Sequence, residues 1–319
     1  MSFSILGTGC ALPELAVKNE DLSKIMDTSD EWIVKKSGIK ERRIVSHESL
    51  TDLSETAALN ALADANVKAQ EIDLLIYATL MGDTVTPSMA CVVAGRIGAV
   101  CPAFDLNAAC SGFVYAMDIA AGYFARKKVK KVLIIGGEHL SRHTDWADRG
   151  TCVLFGDGAA AAVLGEGDAL CSLHIASTPN KEFLSQNFIG GESPFCKRDY
   201  GQPYIRMNGQ EVYKFAVNAI CNDLKYVMEE ARLSEKDIDH FLLHQANIRI
   251  IDAAIKMLDF PKEKFLNSIE QTGNVSAASI PILLDKGNRS GRFKKGDTLA
   301  ISAFGAGLTT GSAIIRWTK

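Results

Sequence analysis

The chain has 319 residues, with 35 Lys and Arg against 38 Asp and Glu, a formal charge of −3, and 47% hydrophobic residues. That balance argues against a general nucleic-acid binder, and the hydrophobic content predicts one or two well-packed domains. Eight cysteines form no CxxC pair or metal-type cluster, and a chain of this length has core enough without disulfide staples. A reducing, cytoplasmic setting is expected.

Residues 1–7 lack the basic start and long apolar core of a signal peptide, and no later run approaches a membrane-spanning length, so a soluble protein is expected. Lys35-Lys36-Ser37-Gly38-Ile39-Lys40-Glu41-Arg42-Arg43 is a basic run with Trp32 just upstream. It reads either as a solvated face or as a site for an anionic ligand. Residues 65–73 close a helical segment and lead into the apolar strand Leu74-Leu75-Ile76-Tyr77-Ala78.

Residues 104–113, Phe-Asp-Leu-Asn-Ala-Ala-Cys-Ser-Gly-Phe, read as a strand, a tight turn and a helix start, with Phe113, Met117, Ala120 and Phe124 following at helical spacing. Cys110 is thereby placed at a helix N-terminus, where the dipole and unpaired amides favour thiolate over thiol. Ser111-Gly112 leaves room for a substrate carbonyl against the backbone. Cysteines 10, 91, 101, 152, 171, 196 and 221 lack this setting and read as ordinary buried thiols.

The second half echoes the first. Residues 231–239 resemble 65–73 and lead into Phe241-Leu242-Leu243, an offset of 231 − 65 = 166 residues. The same offset carries Cys110 to Ser276, inside the glycine-bearing turn Thr272-Gly273-Asn274-Val275-Ser276. Val132–Gly137 resembles Thr298–Ala303, and Phe155-Gly156-Asp157-Gly158 resembles Phe304-Gly305-Ala306-Gly307. Gly165-Glu166-Gly167-Asp168 marks the seam, giving halves at 1–167 and 168–319, and residues 178–204 read as loop. Two α/β copies predict a layered α-β-α-β-α body with a site between them.

His244, directly after the buried strand, and Asn274, in the glycine turn, are the partners this symmetry offers to Cys110. A histidine is more often structural than catalytic. The i,i+4 pairs His139/His143 and His240/His244 lack an HExxH pattern or an added carboxylate, so no metal site is expected.

With Cys110, His244-Gln245-Ala246-Asn247 and Gly273-Asn274-Val275-Ser276-Ala277-Ala278-Ser279-Ile280-Pro281, the chain resembles the 3-oxoacyl-acyl carrier protein synthase III family of the thiolase-like ketosynthases. The resemblance spans essentially the whole chain and includes Thr28–Ile33, Ser37-Gly38-Ile39, Asp148-Arg149-Gly150-Thr151, Met207-Asn208-Gly209 and Phe304–Thr309. It implies a five-layered thiolase-like fold of two duplicated halves, a homodimer, and the triad Cys110, His244 and Asn274. It also implies an oxyanion hole from the amides of Cys110 and Ala306, the latter usually glycine in the family.

The implied chemistry is acyl transfer from an acyl-coenzyme A to Cys110, then decarboxylative condensation with malonyl-acyl carrier protein, without metal, nicotinamide or flavin. Thr28, Trp32, Lys36, Arg149, Gly209 and Asn247 lie at coenzyme A or pantetheine positions. Lys36 stands where arginine is frequent and lacks its bidentate fork. Gln245, Ala246, Asn247, Ile248 and Arg249 match the carrier-protein docking segment, and Phe155 and Thr86 the acyl pocket, with Thr86 reaching the partner's tunnel. A relative serving specialised metabolism or using malonyl-coenzyme A would show the same triad. Thiolases use a second cysteine and elongating ketosynthases a second histidine, and a non-catalytic binding partner of the same fold would be expected to have lost the triad.

Overall fold

The computed structural model describes residues 2–187, 194–195 and 201–319. Cys196 and part of the 178–204 segment lie outside the described residues. Residues 2–167 supply β1 (Ser2–Ala11), β2 (Ala16–Lys18), β3 (Glu41–Arg43), β4 (Leu74–Ala78), β5 (Ala103–Leu106), β6 (Lys131–His139) and β7 (Asp157–Gly167). Their helices are α1 (Asn19–Leu22), α2 (Asp30–Ser37), α3 (Leu50–Ala65), α4 (Met89–Ile97) and α5 (Gly112–Ala125). Residues 170–316 supply β8 (Leu170–Asn180), β9 (Leu184–Gln186), β10 (Ile205–Met207), β11 (His240–Leu243), β12 (Thr298–Gly305) and β13 (Gly307–Arg316). The helices here are α6 (Gly209–Glu230), α7 (Ile248–Leu258), α8 (Ile269–Thr272) and α9 (Ser279–Arg289).

The duplication is visible in the topology. One sheet runs β1-β7-β6-β4-β5 and the other β8-β13-β12-β11. In both, the first two pairings in that order are antiparallel and the remaining ones parallel: β6-β4 and β4-β5 in the first sheet, β12-β11 in the second. The fifth position of the second sheet shrinks to a single parallel bridge between Phe241 and Phe265. Fully buried strands such as Leu74–Ala78 need helices on both faces. Accordingly α3 and α4 cover the outside of the first sheet, α5 and α9 fill the space between sheets, and α6 and α7 cover the outside of the second.

The active turns match at 167 residues rather than 166. The 3-10 turns Ala109–Ser111 and Ser276–Ala278 begin at equivalent points, as do α5 and α9, so Ala277 is the counterpart of Cys110. Ala109 (φ 48°) and Ser276 (φ 43°) both adopt the left-handed region that non-glycine residues avoid. Each turn lies on the other half's sheet. A Cβ on Gly305 would come within 2.6 Å of the Cys110 amide nitrogen, and one on Gly136 within 2.5 Å of the Ala277 carbonyl. Those glycines let the two halves interlock at the site.

The 178–204 region is only partly loop. β8 extends through Asn180, because an edge strand tolerates polar residues on its solvated face, and β9 pairs antiparallel with β10. The cysteines also divide: Cys152 and Cys221 are buried, Cys10 and Cys101 partly so, and Cys91 and Cys171 are exposed.

Candidate active site

Cys110, His244 and Asn274 line one cavity of about 470 Å³ between the halves. Three cations, Lys36, Arg149 and Arg249, line it too, and no carboxylate does among the described residues, a distribution that favours an anionic ligand.

Cys110 is partly exposed in the turn before α5. Asn107 Oδ1 accepts the Ala109 N–H at 3.1 Å, and Ser111 and Thr309 hydroxyls, 2.7 Å apart, both donate to the Ala108 carbonyl. The expected thiolate preference is overturned at rest. Burial pushes the Cys110 thiol up to about 12, helped by the negative Glu138 and only partly offset by the Ser276 hydroxyl. Dense packing around the sulfur outweighs the short helix approach.

His244 is buried, its Nδ1 2.6 Å from Ser279 Oγ and its ring edge-on to Phe304. Burial drives its pKa down to about 3, leaving a neutral imidazole. The Gln245 N–H donates to the same Ser279 oxygen at 3.4 Å, so that oxygen sits between a backbone donor and the ring. The other ring nitrogen, Nε2, is buried without a hydrogen-bond partner among the described residues. Asn274 is fixed in a complementary way. Its Oδ1 accepts the Ser276 N–H at 2.9 Å, so the Nδ2 end is the donor left over.

A smaller cavity of about 60 Å³ lies beside Cys110, walled by Leu80, Leu140, Phe155, Leu184, Ile205 and Ala306. Phe155 borders both cavities, and Ala306 adjoins Cys110 there. Thr86 is exposed and borders neither cavity of its own chain.

At the outer end, Arg149 lies over the Trp32 ring at 5.2 Å and donates to the Asp27 carbonyl. Lys36, Gly209 and Asn247 border the cavity, with Asn247 also capping α7 and donating to the Lys36 carbonyl. Thr28 stands outside the lining with its hydroxyl buried and unpartnered.

Two sequence expectations need correction. Arg42, in the basic run, is buried and braces the Val17 and Val153 carbonyls and Asn19, out of reach of any ligand. Gln245 is also fully buried. It donates to the Leu243 carbonyl and accepts the Ser268 and Ile269 amides, so its side chain cannot meet a docking protein. Arg249 is the exposed member of that segment. Ser276, Ser279, Phe304, Gly305 and Glu138 escaped sequence reasoning. The first two carried a signal, serines in the turn equivalent to that of Cys110.

A partly exposed cysteine, a buried neutral histidine and a side-chain amide around one cavity between duplicated halves are the residue types of a ketosynthase-type acyltransferase. The model for 3-oxoacyl-acyl-carrier-protein (ACP) synthase III matches residues 104–179, and the model for its C terminal matches residues 228–317. A beta-ketoacyl-acyl-carrier-protein synthase III of Clostridium acetobutylicum is 46% identical, covering 100% of this chain and 99% of that protein. One from Xanthomonas campestris is 44% identical over 98% of each. Among solved structures, 3-oxoacyl-acyl-carrier-protein synthase III from Aquifex aeolicus superposes with a TM-score of 0.92 at 42% identity, covering 98% of this chain and 99% of that one. The Pseudomonas aeruginosa enzyme gives 0.92 at 35% identity, covering 100% and 99%. The chain belongs to the 3-oxoacyl-acyl-carrier-protein synthase III family, with its thiolase fold and its initiating condensation in fatty acid synthesis.

Proposed function

We propose that the chain condenses an acyl-coenzyme A primer with malonyl-acyl carrier protein, using Cys110, His244 and Asn274. The observation that carries this is that His244, its Nε2 unpartnered, and Asn274, its Oδ1 already engaged by the Ser276 amide, line the cavity of Cys110 together, with no competing partner for Nε2 or Nδ2 among the described residues.

In the first half-reaction Cys110 sulfur attacks the primer thioester carbonyl, and the amides of Cys110 and Ala306 hold the oxyanion. Coenzyme A leaves as its thiolate. The apolar space beside Cys110 receives the acyl chain. In the second, malonyl thioester loses carbon dioxide and its thioester oxygen becomes an enolate oxygen. Two neutral donors stabilise that charge, where carboxylates would repel it. The enolate carbon attacks acyl-Cys110, and collapse of the adduct releases the 3-oxoacyl product and the Cys110 sulfur. No metal or redox cofactor takes part.

In this reading Lys36, Arg149 and Trp32 serve the nucleotide end of coenzyme A, Gly209 and Asn247 lie along the pantetheine, and Thr28 is a further coenzyme A contact. Ala246, Asn247, Ile248 and Arg249 face the acidic carrier protein, with Arg249 as the steering charge. The protein acts in the cytoplasm as a homodimer in which Thr86 reaches the partner's acyl tunnel, and its halves divide as 1–167 and 168–319. Among the described residues no helix is long and apolar enough to cross a membrane.

The test is intact-protein mass spectrometry after exposure to acetyl-, isobutyryl- and octanoyl-coenzyme A, followed by malonyl-acyl carrier protein. One acyl adduct on Cys110, discharged as 3-oxoacyl-carrier protein, is the expected result. An adduct on another cysteine, or none, refutes the assignment.

A further inference from the structure

Behind the nucleophile stands an acid that the reaction above leaves unused. Glu138, near the end of β6, is buried, and its Oε2 accepts the Leu80 N–H at 3.1 Å and the Thr79 hydroxyl at 3.2 Å. Its other oxygen, Oε1, is buried without a hydrogen-bonded partner. The Ser276 hydroxyl, also buried and unpartnered, borders the small cavity together with Cys110. Its turn packs on β6, where a Cβ on Gly136 would lie 2.5 Å from the Ala277 carbonyl, and on the Ala109–Ser111 turn that carries Cys110, so the hydroxyl stands between the Cys110 thiol and the Glu138 strand without a settled hydrogen bond to either. Unsatisfied buried polar atoms are uncommon and call for a role.

We propose that Ser276 and Glu138 form a proton relay for Cys110. The inference rests on Cys110 being the acylated nucleophile. Ser276 passes its hydroxyl proton to Glu138 Oε1 and takes the Cys110 proton in its place. The S–H electron pair stays on sulfur, which bonds to the primer carbonyl. The carbonyl–sulfur bond to coenzyme A then breaks with its pair, and the departing thiolate takes a proton from solvent. Glu138 holds the stored proton through the acyl-enzyme stage. After condensation expels the Cys110 thiolate, the proton returns through Ser276, and Glu138 is a carboxylate again.

The charge bookkeeping suits the order of events. The negative charge moves off Glu138 as sulfur reacts, so the site behind acyl-Cys110 is neutral when the anionic malonyl group enters. Burial sets Glu138 for this task, pushing its carboxyl up to about 7 against the pull of the Leu80 and Ala277 amides and the Ser276 and Thr79 hydroxyls. Its titratable neighbours are Cys110 and Tyr77; the Tyr77 phenol is paired with Ser54 and raised well above neutrality by burial. His139, next on the strand, interacts instead with Asp157, Arg142 and Asp83.

The experiment is the pH dependence of Cys110 acylation by acetyl-coenzyme A, read by rapid-quench mass spectrometry, in native protein, Glu138→Gln, Ser276→Ala and the double variant. Melting curves check folding. The relay predicts a native rate that rises through a limb near pH 7, lost in Glu138→Gln. It also predicts a fall of about 10²-fold in each single variant, with little further loss in the double, the scale of one general base. Native acylation matched by both single variants, with the same pH profile, overturns the relay alone. A native protein that takes no acyl group from any coenzyme A thioester overturns the functional reading and the relay with it.

Discussion

The Nδ1 of His244 lies 2.6 Å from the hydroxyl of Ser279, a residue 35 positions away on the first turn of α9. In the proposed reaction Nε2 must donate, which requires the Ser279 hydroxyl to donate to Nδ1 and hold the imidazole in that tautomer. Ser279→Ala removes that constraint while leaving the ring in place. Malonyl decarboxylation should fall about 10-fold, less than the ~10²–10³ of deleting a preorganised donor outright. Acylation of Cys110 should survive. Separate assays of the two half-reactions, with Ser279→Thr as the rescue variant, check this.

The two donors and the nucleophile should separate by half-reaction. Cys110→Ala is expected to take up no acyl label. His244→Ala and Asn274→Ala should still acylate but lose decarboxylation by about 10²-fold or more. Peptide mapping of the labelled protein would locate the acyl group among the eight cysteines.

Neutral His244 has a pH signature. Its folded pKa lies at about 3, below the ordinary 6.5, so the unfolded chain binds the proton more readily. Stability contributed by the neutral ring is present above pH 6.5 and is lost as pH falls toward 3. Malonyl decarboxylation should therefore show no histidine limb between pH 5 and 8, which a pH–rate series on the isolated half-reaction measures.

Glu138 titrates in the opposite sense. With a folded value of about 7 against 4.5, the native state holds the proton longer, so its burial destabilises the protein increasingly from pH 4.5 to 7 and steadily above. The difference is on the order of 3 kcal/mol. Glu138→Gln should raise the melting temperature more at pH 8 than at pH 5, whatever it does to catalysis.

Arg149 and Trp32 are too close for a ring to enter between them as they stand. Their 5.2 Å separation falls short of the roughly 7 Å that two contacts of about 3.5 Å require. Binding of coenzyme A is expected to part the pair and change Trp32 fluorescence. Arg149→Ala should raise KM for the acyl-coenzyme A about 10-fold with kcat little altered. Fluorescence titration and steady-state kinetics test both statements.

The sequence by itself determined the alternation of apolar strands and helices, the 231 − 65 = 166-residue echo, and the strand-turn-helix around Cys110, because each is local patterning that backbone geometry reads directly. His244 and Asn274 could be placed because the echo supplied the position. Tertiary structure alone decided which polar groups are satisfied. Gln245 and Arg42 look like ligand contacts along the chain, yet packing turns them inward as braces for backbone atoms far away in sequence. Dense surroundings, invisible in a linear string, reversed the expected acidity of Cys110. The Ser276 turn reaches the strand of Glu138, and the Cys110 turn reaches the second sheet, only because glycines at 136 and 305 let each half's turn rest on the other half's sheet, a closeness no spacing in the sequence encodes.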